Sequence, residues 1–310
     1  MNRIAGIVAA VVGLVIALLG AMKVVPGLTG TGVGLILLGG LVIGLSFISG
    51  PVQDGETPRM STGETLLNIF ISPSEVFRNL RRHPRWLVAI ILCAILSSAY
   101  TTLFMQRLTV ERVVNFTIDK TLELPMLANN PEARKNVEQQ RPEAIADAKK
   151  PVLQAAHFVS DFTIKVFLTA FFALVFFLFA LALGGKINFW QAFAVAAYAA
   201  LPYYFIRYVL STVILYLKDP IEIHPVLGQA TLVQDSLNFL VVPGEHPAIY
   251  VILGAFSLLW FYWIFLTATG LKNAGEKMTP TAAWTAPVVL WIFLTLLLAG
   301  WVSLFPGFMS

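Results

Sequence analysis

Long apolar runs alternate with short polar segments along most of the 310-residue chain. Each run is close to the roughly 20 residues that an α-helix needs to cross a hydrocarbon core. The pattern predicts seven transmembrane helices, at about residues 4–22, 30–49, 86–105, 158–184, 191–217, 248–271 and 282–305. We therefore expect an all-α integral membrane protein.

The longest polar segment, about residues 106–157, contains apolar residues at helical spacing, such as Val110, Val113 and Val114. We expect it to form a small helical cap, into which the third span continues as one long amphipathic helix. The expected organisation is an N-terminal hairpin at 1–49, a linker with an interfacial helix at 50–85, and a five-span domain at 86–310.

Composition supports a membrane protein and charge placement predicts its orientation. Apolar residues make up 57% and charged residues 12%, against about half and a quarter in soluble domains. Lysine and arginine concentrate before the third span and in the two later tight turns, whereas the charged residues of 218–247 are mainly acidic. The positive-inside rule then places the N-terminus in the cytoplasm and the C-terminus outside. The single cysteine, Cys93, excludes an intrachain disulfide.

The stretch ISPSEVFRNLRRHPRW (71–86) predicts a short amphipathic helix, because Pro73 suits the first helical position and Pro84 disfavours helix before it. We expect Val76, Phe77 and Leu80 to face the bilayer. The predicted contacts with anionic lipid headgroups are Arg78, Arg81, Arg82, Arg85 and Trp86. Docking onto a protein partner is the alternative. No further basic or glycine-rich element accompanies the stretch, so no nucleic-acid partner is expected.

Small residues on the first two spans predict that these helices pack closely as a hairpin. Gly13 and Gly20 belong to a small-residue stripe on the first span, and Gly40 and Gly44 form a GxxxG motif on the second. Such faces let two membrane helices approach each other.

Three charged residues lie inside predicted spans. Asp161 and Lys165 are one turn apart near the outer end of the fourth span, and Arg207 lies in the same outer half of the fifth. Charges at this depth face a partner or a water-filled cavity. The favoured interpretation is a salt-bridge clamp between the two helices. A solute or ion path is the functional alternative, and an anionic lipid headgroup could balance the second cation.

The sequence contains little evidence of catalysis or metal binding. The G-x-S-x-G, H-E-x-x-H and P-loop motifs do not occur, and Glu222 with His224, like Glu245 with His246, lacks a recognised metal-site spacing. We expect no enzyme activity, no cofactor and no metal.

From residue 69 to the C-terminus the chain resembles the Ypt-interacting-protein (Yip) domain family of five-span membrane proteins. The stretches that carry the resemblance are FISPSEVFRNLRRHPRW, LGGKINFWQAFAVAAYAALPYYF and GLKNAGEKMTPTAAW. The resemblance implies a five-helix core with a cytoplasmic N-terminus and an exoplasmic C-terminus. The sequence looks more like bacterial-type members than eukaryotic ones, which implies the cytoplasmic (inner) membrane of a bacterium. Eukaryotic members are linked to small GTPases, but their DLYGP-type signature is absent here.

Three functional hypotheses follow from these observations. The leading one is a non-enzymatic scaffold, assembly or membrane-organising factor that contacts the lipid bilayer and either a membrane-protein partner or a second copy of itself. The second is a transporter or channel that uses Asp161, Lys165 and Arg207. The third is an accessory subunit of a larger membrane complex.

Overall fold

The computed structural model describes residues 3–50, 58–124, 127 and 130–304. Residues 51–57 of the predicted linker, residue 305 at the end of the last predicted span and residues 306–310 after it lie outside the described residues. The α-helices are α1 (Arg3–Ala21), α2 (Thr29–Leu45), α3 (Thr62–Ile71), α4 (Pro73–Arg82), α5 (Leu87–Leu108), α6 (Val110–Leu122), α7 (Pro131–Gln139), α8 (Arg141–Ala148), α9 (Pro151–Ala182), α10 (Phe189–Leu217), α11 (Gly228–Thr231), α12 (Pro247–Ala255), α13 (Leu258–Ala274) and α14 (Pro280–Leu304). The predicted all-α fold is confirmed.

Five of the described helices, α1, α5, α9, α10 and α14, are long and apolar enough to cross a membrane. The second predicted span is the shorter apolar helix α2. The sixth differs from the prediction, because its helix is interrupted at Phe256 and Ser257 and forms α12 and α13. The chain is therefore a multi-pass membrane protein with one discontinuous segment.

The break between α12 and α13 is stabilised by an acidic residue of the loop that follows α10. The carboxylate of Asp235 accepts a hydrogen bond from the Ser257 hydroxyl and another from the Leu259 N–H at 3.0 Å. Its backbone carbonyl accepts from the Leu258 N–H, also at 3.0 Å. A carboxylate satisfies the free N–H groups of a helix start and complements its dipole. Asp235 therefore caps α13 and stabilises the break.

The α1–α2 hairpin packs through glycines, as predicted, but α2 uses a different face. A Cβ atom at Gly13 would lie 2.7 Å from the Ile36 nitrogen, and one at Gly20 would lie closer still to the Thr29 nitrogen. On α2 the close positions are Gly32 and Gly39. The assignment of Gly40 and Gly44 to this interface was wrong.

Nothing lies within 4 Å of a Cβ built at either Gly40 or Gly44. The contacting glycines are Gly6, Gly13 and Gly20 on α1 and Gly32 and Gly39 on α2, so they recur every seven residues. A seven-residue repeat keeps one seam between two helices along their length, whereas a four-residue motif marks only one turn.

Helix α10 contacts α3, α4, α5, α9 and α13. Its residues 189–199 are all buried, and many of them are alanines that allow neighbouring helices to approach. Helices α4, α5, α9 and α13 pack against it or against each other, and α2 packs on α9. Thr31 of α2 and Ser160 of α9 share a hydrogen bond of 3.0 Å. The hairpin is thereby attached to the core.

A cap formed by α6, α7 and α8 covers the end of the bundle where α5 finishes. The predicted continuous helix from the third span into the cap was wrong, because Thr109 has φ +68° and separates α5 from α6. Arg112 of α6 donates hydrogen bonds to three carbonyls of the loop after α10, those of Pro220, Ile221 and Ile223. The guanidinium joins the cap to this loop.

Candidate functional site

The most deeply placed charges form a compact group between α5 and α9. Lys165 Nζ lies 2.5 Å from Asp161 Oδ1 on the same helix. Ser97 of α5 donates to Asp161 Oδ2 at 2.5 Å and accepts from Lys165 Nζ at 2.9 Å. Lys165 is 8% exposed, so its charge is balanced within the protein. The predicted proximity of Asp161 and Lys165 is observed.

Ser97 also indicates the depth of this group. It is the eleventh of the 22 residues of α5, and Lys165 Nζ lies 5.3 Å from the ring centre of Tyr204, near the midpoint of α10. The group therefore lies near the middle of the bundle, deeper than the outer position expected from the sequence. The prediction counted α9 from residue 158, whereas the helix begins at Pro151.

Arg207 is separate from this group. Its Nη1 donates to the Tyr203 hydroxyl at 3.2 Å, and its Nη2 donates to the Ala230 carbonyl in the loop after α10. The expected Asp161–Arg207 clamp is not formed, because Ser97 and Lys165 already engage both carboxylate oxygens. The three predicted residues occupy two places in the fold.

Three cavities lie around these charges. The first, of about 360 Å³, lies between α5, α9, α10 and α13, and its charged lining residues are Lys165 and Arg207. The second, of about 540 Å³, is lined by Asp161 and His157 and extends toward the cap. The third, of about 450 Å³, lies between Arg207 and the loop after α10. Tyr208 borders the first and second cavities, and Arg207 borders the first and third.

The second candidate site is at the opposite end of the bundle from the cap. We call it the basic end and define it as residues 78–86, 185–191 and 272–278. The helix α4 that supplies its arginines starts and stops at the predicted prolines. However, Val76, Phe77 and Leu80 are each 0% exposed and belong to the protein core. The prediction that they face the bilayer was wrong, because α4 packs against α13 and α10.

The residues predicted to meet lipid headgroups take different positions at the basic end. Arg85 donates to the Met60 carbonyl and to the Thr65 hydroxyl, each at 2.5 Å, and therefore fixes α3. Trp86 packs edge-on against Phe193 at 5.0 Å between ring centres. Arg78 is exposed, and Arg81 and Arg82 are partly exposed. Headgroup contact by these arginines remains a prediction.

The basic end is tied together by hydrogen bonds between segments that are far apart in the sequence. Arg81 pairs with Glu276 at 2.7 Å, and this bond lowers the pKa of the Glu276 carboxyl. The backbones of Lys186 and Glu276 exchange two hydrogen bonds, of 2.7 and 2.6 Å. Gln191 Nε2 donates to the Arg81 carbonyl at 2.8 Å. Three separate segments therefore form one surface.

The hairpin also reaches the basic end. Asn188 Nδ2 donates to the Ser49 carbonyl, and Trp190 Nε1 donates to the Ile48 carbonyl, each at 3.0 Å. The roles of Ser97, Gln191 and Asp235 were not predicted from the sequence. A polar residue in the middle of an apolar span was the available signal for Ser97. Asp235 gave no such signal, since its partners are the Ser257 hydroxyl and two backbone N–H groups that become available only at the helix break.

Within the described part of the chain, no group of three or more histidine, cysteine, aspartate or glutamate side chains is placed to hold a metal ion. The fold and its sites define a helical multi-pass membrane protein with a buried charge group and a basic end assembled from three segments. The chain belongs to the Yip1 domain family, since the Yip1 domain matches residues 67–304. The hairpin helices α1 and α2 precede the matched region. No curated protein and no solved structure matches the chain.

Proposed function

We propose that this chain is a non-enzymatic scaffold, assembly or membrane-organising protein that acts through lipid and protein contacts at its basic end. One observation carries the proposal. Arg81, Lys186 and Glu276 come from the three sequence stretches that resemble the family, and they meet in one hydrogen-bonded surface. A surface held in one geometry by distant segments is suited to presenting a fixed set of contacts.

The charge of this surface indicates the chemistry of its partner. Arg78, Lys186, Lys272 and Lys277 are exposed there, while the carboxylate of Glu276 is engaged by Arg81. Exposed cations of this kind attract anionic lipid headgroups and acidic protein segments. We expect an acidic segment of a membrane-protein partner, with anionic lipids around it.

The same charges support the proposed orientation. By the positive-inside rule the basic end lies in the cytoplasm and the cap outside, with the N-terminus cytoplasmic and the C-terminus exoplasmic. The expected location is the cytoplasmic membrane of a bacterium.

The test compares two charge variants by quantitative copurification from native membranes in mild detergent. Replacing Arg78, Lys186 and Lys272 by Gln should weaken binding of a stoichiometric partner. The yield of the copurified partner should then fall severalfold. The matched control replaces the exposed cap residues Lys120, Arg134 and Lys135 by Gln, which changes the same charge at the other end. Equal partner yield from both variants contradicts the proposal.

A second candidate is transport, which the adjoining cavities favour. The first and third cavities meet at Arg207, and the first and second meet at Tyr208. Purified protein in liposomes should then release a trapped carboxylate dye, and Arg207→Gln should change the rate. An absence of protein-dependent release in liposomes that retain folded protein excludes this candidate for that class of solute.

A further inference from the structure

The first cavity has an unusual balance of charge. Lys165 and Arg207 both line it, whereas Asp161, the partner of Lys165, lines the second cavity on the other side. Asp161 neutralises Lys165, whereas the described hydrogen bonds of Arg207 go only to neutral groups. A cation of that kind in a membrane interior is costly and normally meets an anion or water. The cavity therefore presents positive charge with no carboxylate among its described lining residues.

Arg207 has spare hydrogen-bonding capacity. A guanidinium carries five N–H donors, and the described contacts use Nη1 for Tyr203 and Nη2 for Ala230. Asp235 borders the third cavity near Arg207, but its carboxylate is engaged by Ser257 and Leu259 at the start of α13. The remaining donors of Arg207 are available for a planar anion such as a carboxylate or a phosphate.

The rest of the cavity is apolar and aromatic. Trp260, Trp263 and Phe172 form one wall, with Trp260 and Trp263 packed edge-on at 5.4 Å between ring centres. Leu168 and Ile90 also line it. Its volume of about 360 Å³ falls within the 300–1,000 Å³ typical of small-molecule sites. Such walls would hold a hydrocarbon chain better than a hydrated ion.

We infer that this cavity binds an amphiphile with an anionic carboxylate or phosphate headgroup at Arg207 and its apolar chain against the Trp260–Trp263 wall. The site lies within the helix bundle, away from the basic end. It therefore goes beyond the proposed scaffold role, and either proposal can fail without the other.

The cavity tryptophans provide a direct measurement. Dibromostearate is titrated into the protein in phosphatidylcholine nanodiscs, where a bromine atom in contact with an indole quenches its fluorescence. We expect saturable quenching that is largely lost in the Trp260→Phe/Trp263→Phe variant, although five of the seven tryptophans remain there. Brominated phosphatidylglycerol is the second probe, which distinguishes a phosphate headgroup from a carboxylate.

Variants separate the headgroup contact from the chain contact. Arg207→Gln removes a charge-assisted hydrogen bond and should raise the half-saturating concentration about tenfold, while Arg207→Lys restores part of the binding. Ala200→Phe fills the cavity without altering charge and should also weaken binding. The control is Arg107→Gln, because Arg107 bonds to the Lys218 carbonyl outside this cavity.

Any of the following results would overturn the inference. One is quenching that does not saturate, and another is equal saturable quenching by brominated phosphatidylcholine, which would show that charge is not recognised. Displacement of dibromostearate by inorganic phosphate would show a site for water-soluble anions. Should Arg207→Gln fail to fold, unchanged binding in Ala200→Phe is sufficient to reject the site.

Discussion

Single residues show how this membrane protein accommodates charge. Lys165 is balanced by Asp161 one turn away and by Ser97 on a neighbouring helix. Arg207 instead uses a backbone carbonyl and a tyrosine hydroxyl. The first arrangement is a neutral pair, whereas the second keeps its positive charge. These two cations are therefore expected to respond differently to substitution.

Substitutions in the neutral pair should be strongly coupled. Asp161→Asn strands the Lys165 ammonium and Lys165→Met strands the carboxylate, so each should lower the free energy of unfolding by about 3–5 kcal/mol. The Asp161→Asn/Lys165→Met double variant should recover much of this loss. Thermal unfolding in detergent measures all three, with Arg207→Gln as an uncoupled comparison. Additive effects of the two single changes would show that the pair contributes no interaction energy.

His224 should make the loop after α10, which contacts the cap, sensitive to pH. Its Nδ1 accepts hydrogen bonds from the N–H groups of Val226 and Leu227 at 3.2 and 3.0 Å, and its ring packs on Phe116. Partial burial, and then the charges of Lys120 and Arg112, lower the pKa of His224 from its ordinary value of 6.5. Protonation of the folded state is therefore disfavoured.

The sign of the effect follows from proton binding. Below pH 6.5 the unfolded chain binds this proton more readily than the folded chain, so stability falls as pH decreases toward the lowered folded-state pKa. His224→Asn offers an acceptor that does not titrate. Hydrogen exchange of the loop after α10 is measured at pH 7.5 and pH 5.5 and divided by the intrinsic exchange rate at each pH. This ratio, which reports opening of the loop, should increase at low pH in the wild type and change less in the variant. The same increase in both proteins would exclude His224 as the cause.

At the scale of helices, the hairpin provides a matched pair of neighbouring glycines. A Cβ at Gly39 would lie 2.5 Å from the Gly6 carbonyl oxygen, while Gly40 faces open space. Gly39→Ala should separate α1 from α2 and lower thermal stability. Gly40→Ala should be neutral, or stabilising by up to about 1 kcal/mol through helix propensity. Equal effects of the two changes would mean that the hairpin does not pack along the described seam.

The positions of the helices along the chain were predicted well from the sequence. Whether each helix face contacts lipid or other helices was predicted less well. Pro73 and Pro84 determine where α4 starts and stops because proline acts on the local backbone. Whether Phe77 meets lipid or protein depends on α10 and α13, which lie far along the chain. A hydrophobic side chain is as stable against lipid as against other apolar side chains. The hydrophobic pattern therefore does not show which of the two it contacts. The pairing of Asp161 with Lys165, one turn away, was predictable from the sequence. Its hydrogen bond with Ser97 on another helix was not.

At the scale of the whole molecule, orientation can be tested at the two ends of the bundle. On a Cys93→Ala background, cysteines replace the exposed residues Lys272 at the basic end and Lys135 in the cap. If the basic end is cytoplasmic, an impermeant thiol reagent should label Lys135→Cys in intact cells. Lys272→Cys should be labelled only after the membrane is opened. The reverse pattern would invert the proposed topology.

The tight glycine seam of the hairpin has a consequence for how the protein is made. Its helices α1 and α2 are complete by Leu45, but their polar contact on α9, Ser160, is synthesised more than a hundred residues later. At cellular rates of synthesis this interval lasts on the order of ten seconds. During that time the hairpin must persist in the bilayer without the core it later joins. Close contact between two sequence neighbours allows this, so a loosened seam should harm membrane insertion and yield before it alters the finished fold.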